Sequence, residues 1–315
     1  MLNIKIIFKE MRKRKIISFL LILLSISNGY GQQEAQFTQY LDNMQYYNPA
    51  YIGKAKVMNV SAFHRQQWVG IEGAPMTQVL SLHTPIKYES LGVGLSFLND
   101  RIGTLNQSWI NADVSYTLRF KKHQGKLSFG LKGGINLVNN DLNSLYAPDD
   151  GDLLVTQSIS NKVLPNVGFG VYYHSKHFFA GFSVPRIVET SLGTTTLNYL
   201  DQRHYYASLG GYFNVNRMLK MRPSMMFKLT ENAPFALDAS LAFVFYDKFW
   251  LGGNYRIDES AGGFFQYQFT NQFKIGYAFD ISTSKLFRHN AGTHEIMLSY
   301  DFLIRKKSIH SPRYF

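Results

Sequence analysis

The strongest constraint on this chain is a hydrophobic pattern that alternates at every second residue and recurs about fourteen times between Val57 and Ile304. In the segment 110–120 the even positions are apolar or aromatic, whereas the odd positions are polar or charged. Successive side chains of a β-strand point to opposite faces, so each such segment is predicted to be a strand with one apolar and one polar face. The repetition predicts an all-β protein.

Turn residues between the alternating segments set the predicted strand boundaries. An even number of strands is expected of a closed antiparallel barrel in a bacterial outer membrane, with lipid outside and a polar lumen inside. We therefore predict a transmembrane antiparallel β-barrel of about 14 strands, and boundary errors of ~2–4 residues allow a count of 12 to 16. The predicted strands are 56–66, 77–84, 91–98, 105–120, 127–138, 164–173, 178–184, 204–213, 219–228, 235–245, 249–256, 263–269, 273–282 and 293–304.

The N-terminus has the three parts of a secretory signal peptide. Basic residues precede the apolar run 16–26, and the small residues Gly29 and Gly31 follow it. This run is shorter than the ~20 apolar residues of a spanning helix, so we predict a Sec-type signal cleaved near Gly31 and a multi-pass outer-membrane location. The predicted organisation is 1–31 signal peptide, 32–55 N-terminal periplasmic or lumenal segment, 56–305 β-barrel and 306–315 C-terminal tail.

Composition and motifs argue against several classes of function. The chain has no cysteine, hence no disulfide and no Cys-based metal site. Its formal charge of +12 is partly that of the signal and is otherwise dispersed, so nucleic acid is not a predicted partner. His-Glu-x-x-His, Gly-x-Ser-x-Gly and phosphate-loop motifs do not occur. Asp149, Asp150 and Asp152 lack the rest of an EF-hand and are interpreted as an acidic turn. No enzymatic activity, cofactor or metal is predicted.

The connections between strands indicate which end of the barrel faces outward. The longest, 139–163 and 185–203, follow odd-numbered strands, and short turns follow even-numbered ones. Outer-membrane barrels have long loops outside and short turns in the periplasm. The short turns are mainly basic and the long loops mainly acidic. We predict a basic periplasmic rim, extended by residues 305–307, that docks an acidic partner, although such charges also simply solvate turns.

Charged residues within the strands are expected to face the lumen. A Lys or Arg facing lipid near the midplane costs roughly 2–4 kcal/mol. The positions predicted to point inward are Asp113, Arg119, Asp238, Arg256, Lys274, Asp280 and Asp301.

Four ordered motifs between residues 36 and 120 resemble the PorP/SprF family of outer-membrane proteins of the type IX secretion system, which is found in Bacteroidota-type bacteria. The rest of the chain matches this family in length and strand rhythm. The motifs read Gln36-Phe-Thr-Gln-Tyr40, then Asn48-Pro-Ala-Tyr-Ile-Gly53, then Gln67-Trp-Val-Gly70 with Gly73-Ala-Pro-Met-Thr77, and finally Gly92-Val-Gly94 with Asp100-Arg-Ile-Gly103.

The resemblance implies a role in secreting, or holding at the cell surface, proteins with a C-terminal sorting domain, including gliding adhesins. It implies periplasmic type IX secretion components or a peptidoglycan-binding protein as partners, besides the secreted cargo and outer-membrane lipid. It names neither the cargo nor the stoichiometry. Two alternatives stay open: a transport barrel for a hydrophobic or small solute, and a passive structural or adhesive barrel.

Aromatic residues on rigid loops make suitable binding anchors. We therefore single out the loop containing Trp68, on the outer side, and the turn 48–53, beneath the barrel. The same residues also suit a purely structural role, as a girdle Trp and tight turns. Whether residues 32–55 plug the lumen is left open by the sequence. The candidate partner-binding residues are Asn48, Pro49, Tyr51, Gly53, Trp68, Gly70, Gly73, Pro75 and Thr77.

Overall fold

The structure is a computed structural model that describes residues 34–54, 57–86, 90–120, 125–141, 159–192, 199–231 and 233–302. The predicted signal peptide, the acidic cluster 149–152, the basic residues 305–307 and the predicted C-terminal tail lie outside these ranges.

The described residues form seventeen β-strands, of which fourteen close into an antiparallel barrel. The ring runs through β1–β7, β10 and β12–β17, and it closes where β17 pairs with β1 and β10 with β12. The predicted fourteen-stranded barrel is confirmed. The strands are β1 (Met58–Gln66), β2 (Met76–Pro85), β3 (Leu91–Ile102), β4 (Leu105–Phe120), β5 (Gly125–Asn140), β6 (Ile159–His174), β7 (Phe178–Val184), β8 (Thr190–Leu192), β9 (Tyr199–Asp201), β10 (His204–Gly211), β11 (Phe213–Asn214), β12 (Leu219–Thr230), β13 (Ala236–Phe245), β14 (Phe249–Arg256), β15 (Ser260–Gln268), β16 (Phe273–Ser282) and β17 (Thr293–Phe302).

Burial along the strands is inverted relative to a water-soluble protein. In β4 the apolar residues Ile110 and Val114 are 47% and 41% exposed, whereas Asn111 and Asp113 between them are buried. This is the arrangement of a barrel that faces hydrocarbon outside and encloses polar groups. Asp238, Arg256 and Asp280 are buried inside as expected. Arg119, by contrast, is exposed, because β4 is exposed on both faces over its last residues, 118–120.

The two ends of the barrel differ in their connections. We call the end with connections 67–75, 103–104, 141–158, 185–203, 231–235, 257–259 and 283–292 the long-loop end. The opposite end, with 86–90, 121–124, 175–177, 212–218, 246–248 and 269–272, is the short-turn end. β8 and β9 pair only with each other, within the loop 185–203.

Residues 34–54, the lumenal segment, lie inside the ring of strands. They form two 3₁₀ turns, Tyr40–Asp42 and Pro49–Lys54, around the one-turn helix Met44–Tyr47. A further 3₁₀ turn, Lys285–His289, lies at the long-loop end. No helix within the described ranges is both long and apolar enough to cross a bilayer. The apolar side chains of the lumenal segment form the core of the molecule together with inward residues of the wall: Phe37, Tyr40, Met44, Tyr47 and Ala50 meet Phe63, Val79, Leu98, Tyr206 and Met297.

Candidate functional site

The first motif, 36–40, fastens the lumenal segment to the wall near the long-loop end. The backbone N–H groups of Thr38 and Gln39 donate to the carboxylate of Glu295 on β17, at 2.8 and 2.9 Å. Arg65 on β1 joins this contact by donating to Thr38 Oγ1 and Glu295, at 2.8 and 2.9 Å, and to Asp280 at 2.9 Å. All these groups are at least 98% buried. Buried charges require such partners, since isolated they are strongly destabilising.

A second buried charge cluster lies on β12–β14. Asp238 accepts from Lys228 and from Arg256, both at 2.7 Å. Lys228 also donates to the side chain of Gln36 at 2.7 Å, so the cluster holds the start of the first motif. Tyr40 ends the motif with a 2.7 Å hydrogen bond to Ser224 on β12.

Asp42 anchors the lumenal segment nearer the short-turn end. Its carboxylate accepts from Lys274 at 2.6 Å, from Gln266 at 2.8 Å and from Arg222 at 3.4 Å. Burial raises the pKa of Asp42, but the charges of Lys274 and Arg222 outweigh burial and hold it below its usual range. The carboxylate is therefore ionised at neutral pH.

Glu34, at the first described position, lies among residues of the long-loop end. Its carboxylate accepts from Arg186, Tyr206 and, at 2.9 Å, Tyr46. Burial raises the pKa of Glu34, but Arg186, His204 and the hydroxyl of Tyr206 together lower it to about 2. Glu34 therefore holds the beginning of the segment by charge.

The second motif, 48–53, is buried in the lumen at all but one of its candidate residues. Asn48 donates to the carbonyls of Val171 on β6 and Phe182 on β7, at 3.1 and 3.4 Å, and accepts from the N–H of Ala50. Pro49 and Gly53 are also buried, whereas Tyr51 is half-buried. Residues 48–53 therefore pack tightly against the barrel wall.

Glycines in the wall make room for the lumenal segment. A Cβ at Gly170 would lie 2.1 Å from Asn48 Oδ1, and one at Gly130 would lie 2.3 Å from the nitrogen of Ala50. In the Gly92-Val-Gly94 motif, a Cβ at Gly92 would approach the carbonyl of Ile52 to 3.0 Å, and one at Gly94 would approach Gln45 to 2.6 Å. These separate sequence motifs therefore serve one purpose, the close approach of the lumenal segment to β3, β5 and β6.

The loop 67–75 lies at the long-loop end and contains most of the remaining candidate residues. Trp68 is half-buried with φ +46°, and Gly70 and Gly73 are exposed with φ +99° and +72°. Pro75 and Thr77 are buried. Glycine adopts such positive φ values without steric cost, so Gly70 and Gly73 allow the chain to turn at these two positions.

Backbone hydrogen bonds to two neighbouring loops brace 67–75. Val69 exchanges hydrogen bonds with Gly292 and Ala291, at 2.9 and 2.7 Å, and the carbonyl of Gly73 accepts from Gly103 at 2.8 Å. Below the loop, Thr77 donates to Asp100 at 2.5 Å, which links the third and fourth motifs. The structure therefore separates the candidate residues into a lumenal group and a long-loop group.

The short-turn end contains a vestibule, a cavity of about 350 Å³. Its lining combines aromatic side chains with cations, among them Tyr51, Lys54, Lys176, Arg222 and Trp250. Tyr51 is thus the lumenal candidate residue that reaches this cavity. The ammonium group of Lys54 lies 5.3 Å from the centre of the Tyr51 ring.

Sequence reasoning missed the partners that fix the lumenal segment, such as Glu34, Asp42, Arg65 and Glu295. Their charge was visible in the sequence, but the charged pairs join residues more than 150 positions apart, as in Glu34–Arg186 and Arg65–Asp280. Among the described residues no cluster of three or more His, Asp or Glu side chains could hold a metal ion.

Comparison with solved structures finds distant barrels. The P. putida toluene transporter TodX is 9% identical, with 82% of this chain and 94% of that chain covered and a TM-score of 0.47. A Pseudomonas aeruginosa FadL homologue is 10% identical, with coverage of 82% and 94% and a TM-score of 0.43. The KdgM porin is 10% identical, with coverage of 78% and 99% and a TM-score of 0.36. Likenesses this distant say nothing about what this chain binds.

Among curated proteins, none matches the chain. The family model described as "Type IX secretion system membrane protein PorP/SprF" matches residues 29–300, which include the lumenal segment and all fourteen barrel strands except the last two residues of β17. The chain belongs to the PorP/SprF family of type IX secretion system membrane proteins.

Proposed function

We propose that this protein is a non-enzymatic docking barrel of the outer membrane that assists the secretion or surface attachment of proteins with a C-terminal sorting domain, gliding adhesins among them. It reaches the membrane after Sec-type export and cleavage near Gly31. Family membership supports a secretion role. The observation that carries the docking role is the occupied lumen.

The lumenal segment is hydrogen-bonded to strands around the whole ring. Its partners include Arg65 on β1, Asp113 on β4, Val171 on β6, Ser224 on β12 and Glu295 on β17. Displacing it would break the ion pairs of Glu34 and Asp42 with the wall, and losing one partner of a buried ion pair costs about 3–5 kcal/mol. A cargo protein therefore meets this barrel at its ends and does not pass through its centre.

We assign the cargo contact to the long-loop end, taken as extracellular because outer-membrane barrels have their longer loops there. The loop 67–75 offers the half-buried ring of Trp68 in a backbone braced on both sides. Large aromatic side chains in a rigid setting are frequent binding hot spots. Gly70 and Gly73 set the shape of this surface, and Pro75 and Thr77 support it from below.

We assign the contact with periplasmic secretion components, or with a peptidoglycan-binding protein, to the short-turn end. Arg217 and Lys248 are exposed there, and neither has an ion-pair partner among the described residues. Free cations of one sign favour association with an acidic partner. Asn48, Pro49 and Gly53 are buried and contribute to this end only by fixing the position of Tyr51.

Deletion of the gene tests the proposal. Sorting-domain proteins are quantified in the medium and on the cell surface by mass spectrometry, and the intact barrel is captured from outer membranes to identify its cargo. We expect the captured cargo to be lost from both fractions, or released from the surface, in the deletion strain. If every sorting-domain protein is still secreted and attached, the proposal is wrong. Complementation with the lipid-facing control Leu95→Ala must restore the wild-type pattern.

The alternative, a transport barrel for a hydrophobic or small solute, requires either a continuous path through the lumen or an apolar pocket that opens sideways to the membrane. The lumenal segment occupies the central path, which argues against the first of these routes. Solute flux into liposomes containing the purified barrel, at a rate above that of empty liposomes, would favour transport over docking.

A further inference from the structure

The outer face of the barrel carries a large apolar groove across β7, β10 and β12–β14. The groove has a volume of about 1090 Å³. Outward side chains line it, including Leu209 and Leu251, which are 46% and 57% exposed, and Met225 and Leu241. Ligand cavities typically measure ~300–1,000 Å³, so this one is large enough for a hydrocarbon chain.

The groove lies where the pairing of β10 with β12 is interrupted. Gly210 pairs with Ser224, and pairing resumes only with Phe213 and Met221 on the continuation of the strand. Pro223, which lies opposite the gap, has no N–H to donate to a neighbouring strand. The wall therefore lacks part of its backbone pairing at this point.

The groove adjoins the vestibule at the short-turn end. Phe178, Phe179 and Gly211 line both cavities. The N–H of Tyr212, which follows Gly211, donates at 2.7 Å to the carbonyl of His177, so the turn 175–177 is fixed beside the junction. An apolar compartment on the membrane side and a compartment lined by cations thus border the same wall residues.

Two of these cationic side chains have groups without a hydrogen-bond or ion-pair partner among the described residues. The Nε of Arg222 is buried and lacks a hydrogen-bond partner among the described residues. Lys176 is exposed and has no ion-pair partner in the described part of the chain. Lys54 lines the same cavity. Arg and Lys donors of this kind bind phosphate oxygens through charge-assisted hydrogen bonds.

We propose that the groove and the vestibule together form one binding site for an anionic phospholipid. The phosphate lies near Lys176 and Arg222, and an acyl chain lies in the groove between Leu209 and Leu251. Basic pockets beside apolar membrane-facing surfaces select anionic head groups because of their charge. This inference is independent of the cargo.

Lipid retention by the purified barrel tests the site, with dioleoylphosphatidylglycerol and dioleoylphosphatidylcholine as probes that share their acyl chains. Native mass spectrometry counts the lipids that stay bound after detergent exchange. We expect the wild type to retain the anionic probe about tenfold better, which corresponds to ~1.4 kcal/mol. Gly253→Leu fills the groove, since the nearest atom to its added Cβ is 3.7 Å away, and lowers retention of both lipids at least fivefold.

Matched controls separate the site from general effects. Gly133→Leu adds the same side chain to the outer face of β5, where a Cβ meets nothing within 4 Å, and retention stays as in the wild type. Lys176→Gln removes the preference for the anionic probe, whereas Arg101→Gln, an equal loss of charge at the long-loop end, preserves it. The proposal is overturned if the wild type does not discriminate between the probes, or if either variant behaves like its control.

Discussion

The lumenal segment and the loop 67–75 both carry motifs of the PorP/SprF family, but they are held in different ways. The lumenal segment is fixed to charged side chains of the wall, by hydrogen bonds of Thr38 with Glu295 and Arg65. The ion pairs of Glu34 with Arg186 and of Asp42 with Lys274 add to these contacts. The loop is held by backbone hydrogen bonds at Val69 and Gly73 and leaves Trp68 half-buried. The family motifs therefore have two structural roles: the first two fill the lumen, and the third shapes a loop at the long-loop end.

Removing Arg65 is expected to have the largest effect on stability of all the predicted changes. Arg65→Ala leaves the buried carboxylates of Asp280 and Glu295 without their cation, which costs about 3–5 kcal/mol. We expect a lower midpoint of urea unfolding and the appearance of ionic current in planar bilayers. The control Arg101→Ala removes an exposed Arg and changes neither quantity. An unchanged midpoint in Arg65→Ala would show that the charge cluster to which Thr38 is hydrogen-bonded does not stabilise the fold.

Removing the ring of Trp68 is expected to act on binding and not on the barrel. Trp68→Ala should weaken cargo capture by about 2 kcal/mol, roughly 30-fold, the size of a hot-spot effect. The unfolding midpoint should stay near that of the wild type, because backbone hydrogen bonds hold the loop. Assembly and capture are measured separately on the same preparation. Lost assembly would assign Trp68 a structural role and reject the binding role.

A side chain at Gly170 tests the close packing of residues 48–53 against β6. Gly170→Val forces Asn48 away from β6, since a Cβ would lie 2.1 Å from its Oδ1, and overpacking of this kind costs typically ~1–3 kcal/mol. Gly133→Val, on the neighbouring strand, adds the same group in open space. Urea unfolding should therefore distinguish the two variants. Equal unfolding midpoints would mean that residues 48–53 shift to accept the new side chain at no cost in stability.

Acidification is expected to have the smallest effect, because it releases only the start of the lumenal segment. The pKa of Glu34 is lowered in the folded protein from 4.5 to about 2, so its contribution to stability is complete above pH 4.5 and is lost as the pH falls towards 2. Trp109, whose ring lies 5.1 Å from the guanidinium of Arg186, reports this release by fluorescence when Trp68 and Trp250 are replaced by Phe. In Glu34→Gln the transition over this pH range should disappear. A transition that persists in that variant would belong to another group.

Strand boundaries were accurately predicted wherever alternation continued to the strand end. The segments 105–120, 178–184, 249–256 and 273–282 coincide with β4, β7, β14 and β16. The prediction 164–173 fell short of β6, which begins at Ile159, because Asn161 and Lys162 break the apolar alternation beyond the part of the strand that faces hydrocarbon. The pattern reports contact with lipid, so it ends where that contact ends.

The candidate site was predicted less completely. The motif residues were identified, but the sequence did not distinguish the buried turn at Asn48 from the partly exposed loop at Trp68. Both contain aromatic residues, glycine and proline, which suit a binding loop and a buried turn equally well. What separates them is their contacts with distant residues. Asn48 is hydrogen-bonded to β6 and β7, whereas the loop of Trp68 is hydrogen-bonded through Val69 to Gly292.

The alternating pattern was enough to predict the barrel, a count of about fourteen strands and the polarity of the two faces, because side-chain direction in a strand follows from a period of two and the face towards lipid must be apolar. That residues 34–54 fill the lumen, in contrast, is visible only in the three-dimensional structure. That outcome depends on hydrogen bonds and close approaches to glycine between residues far apart in the chain, as between Thr38 and Glu295 or Asn48 and Gly170. Such contacts produce no periodic pattern in the sequence, so they could not be predicted from it.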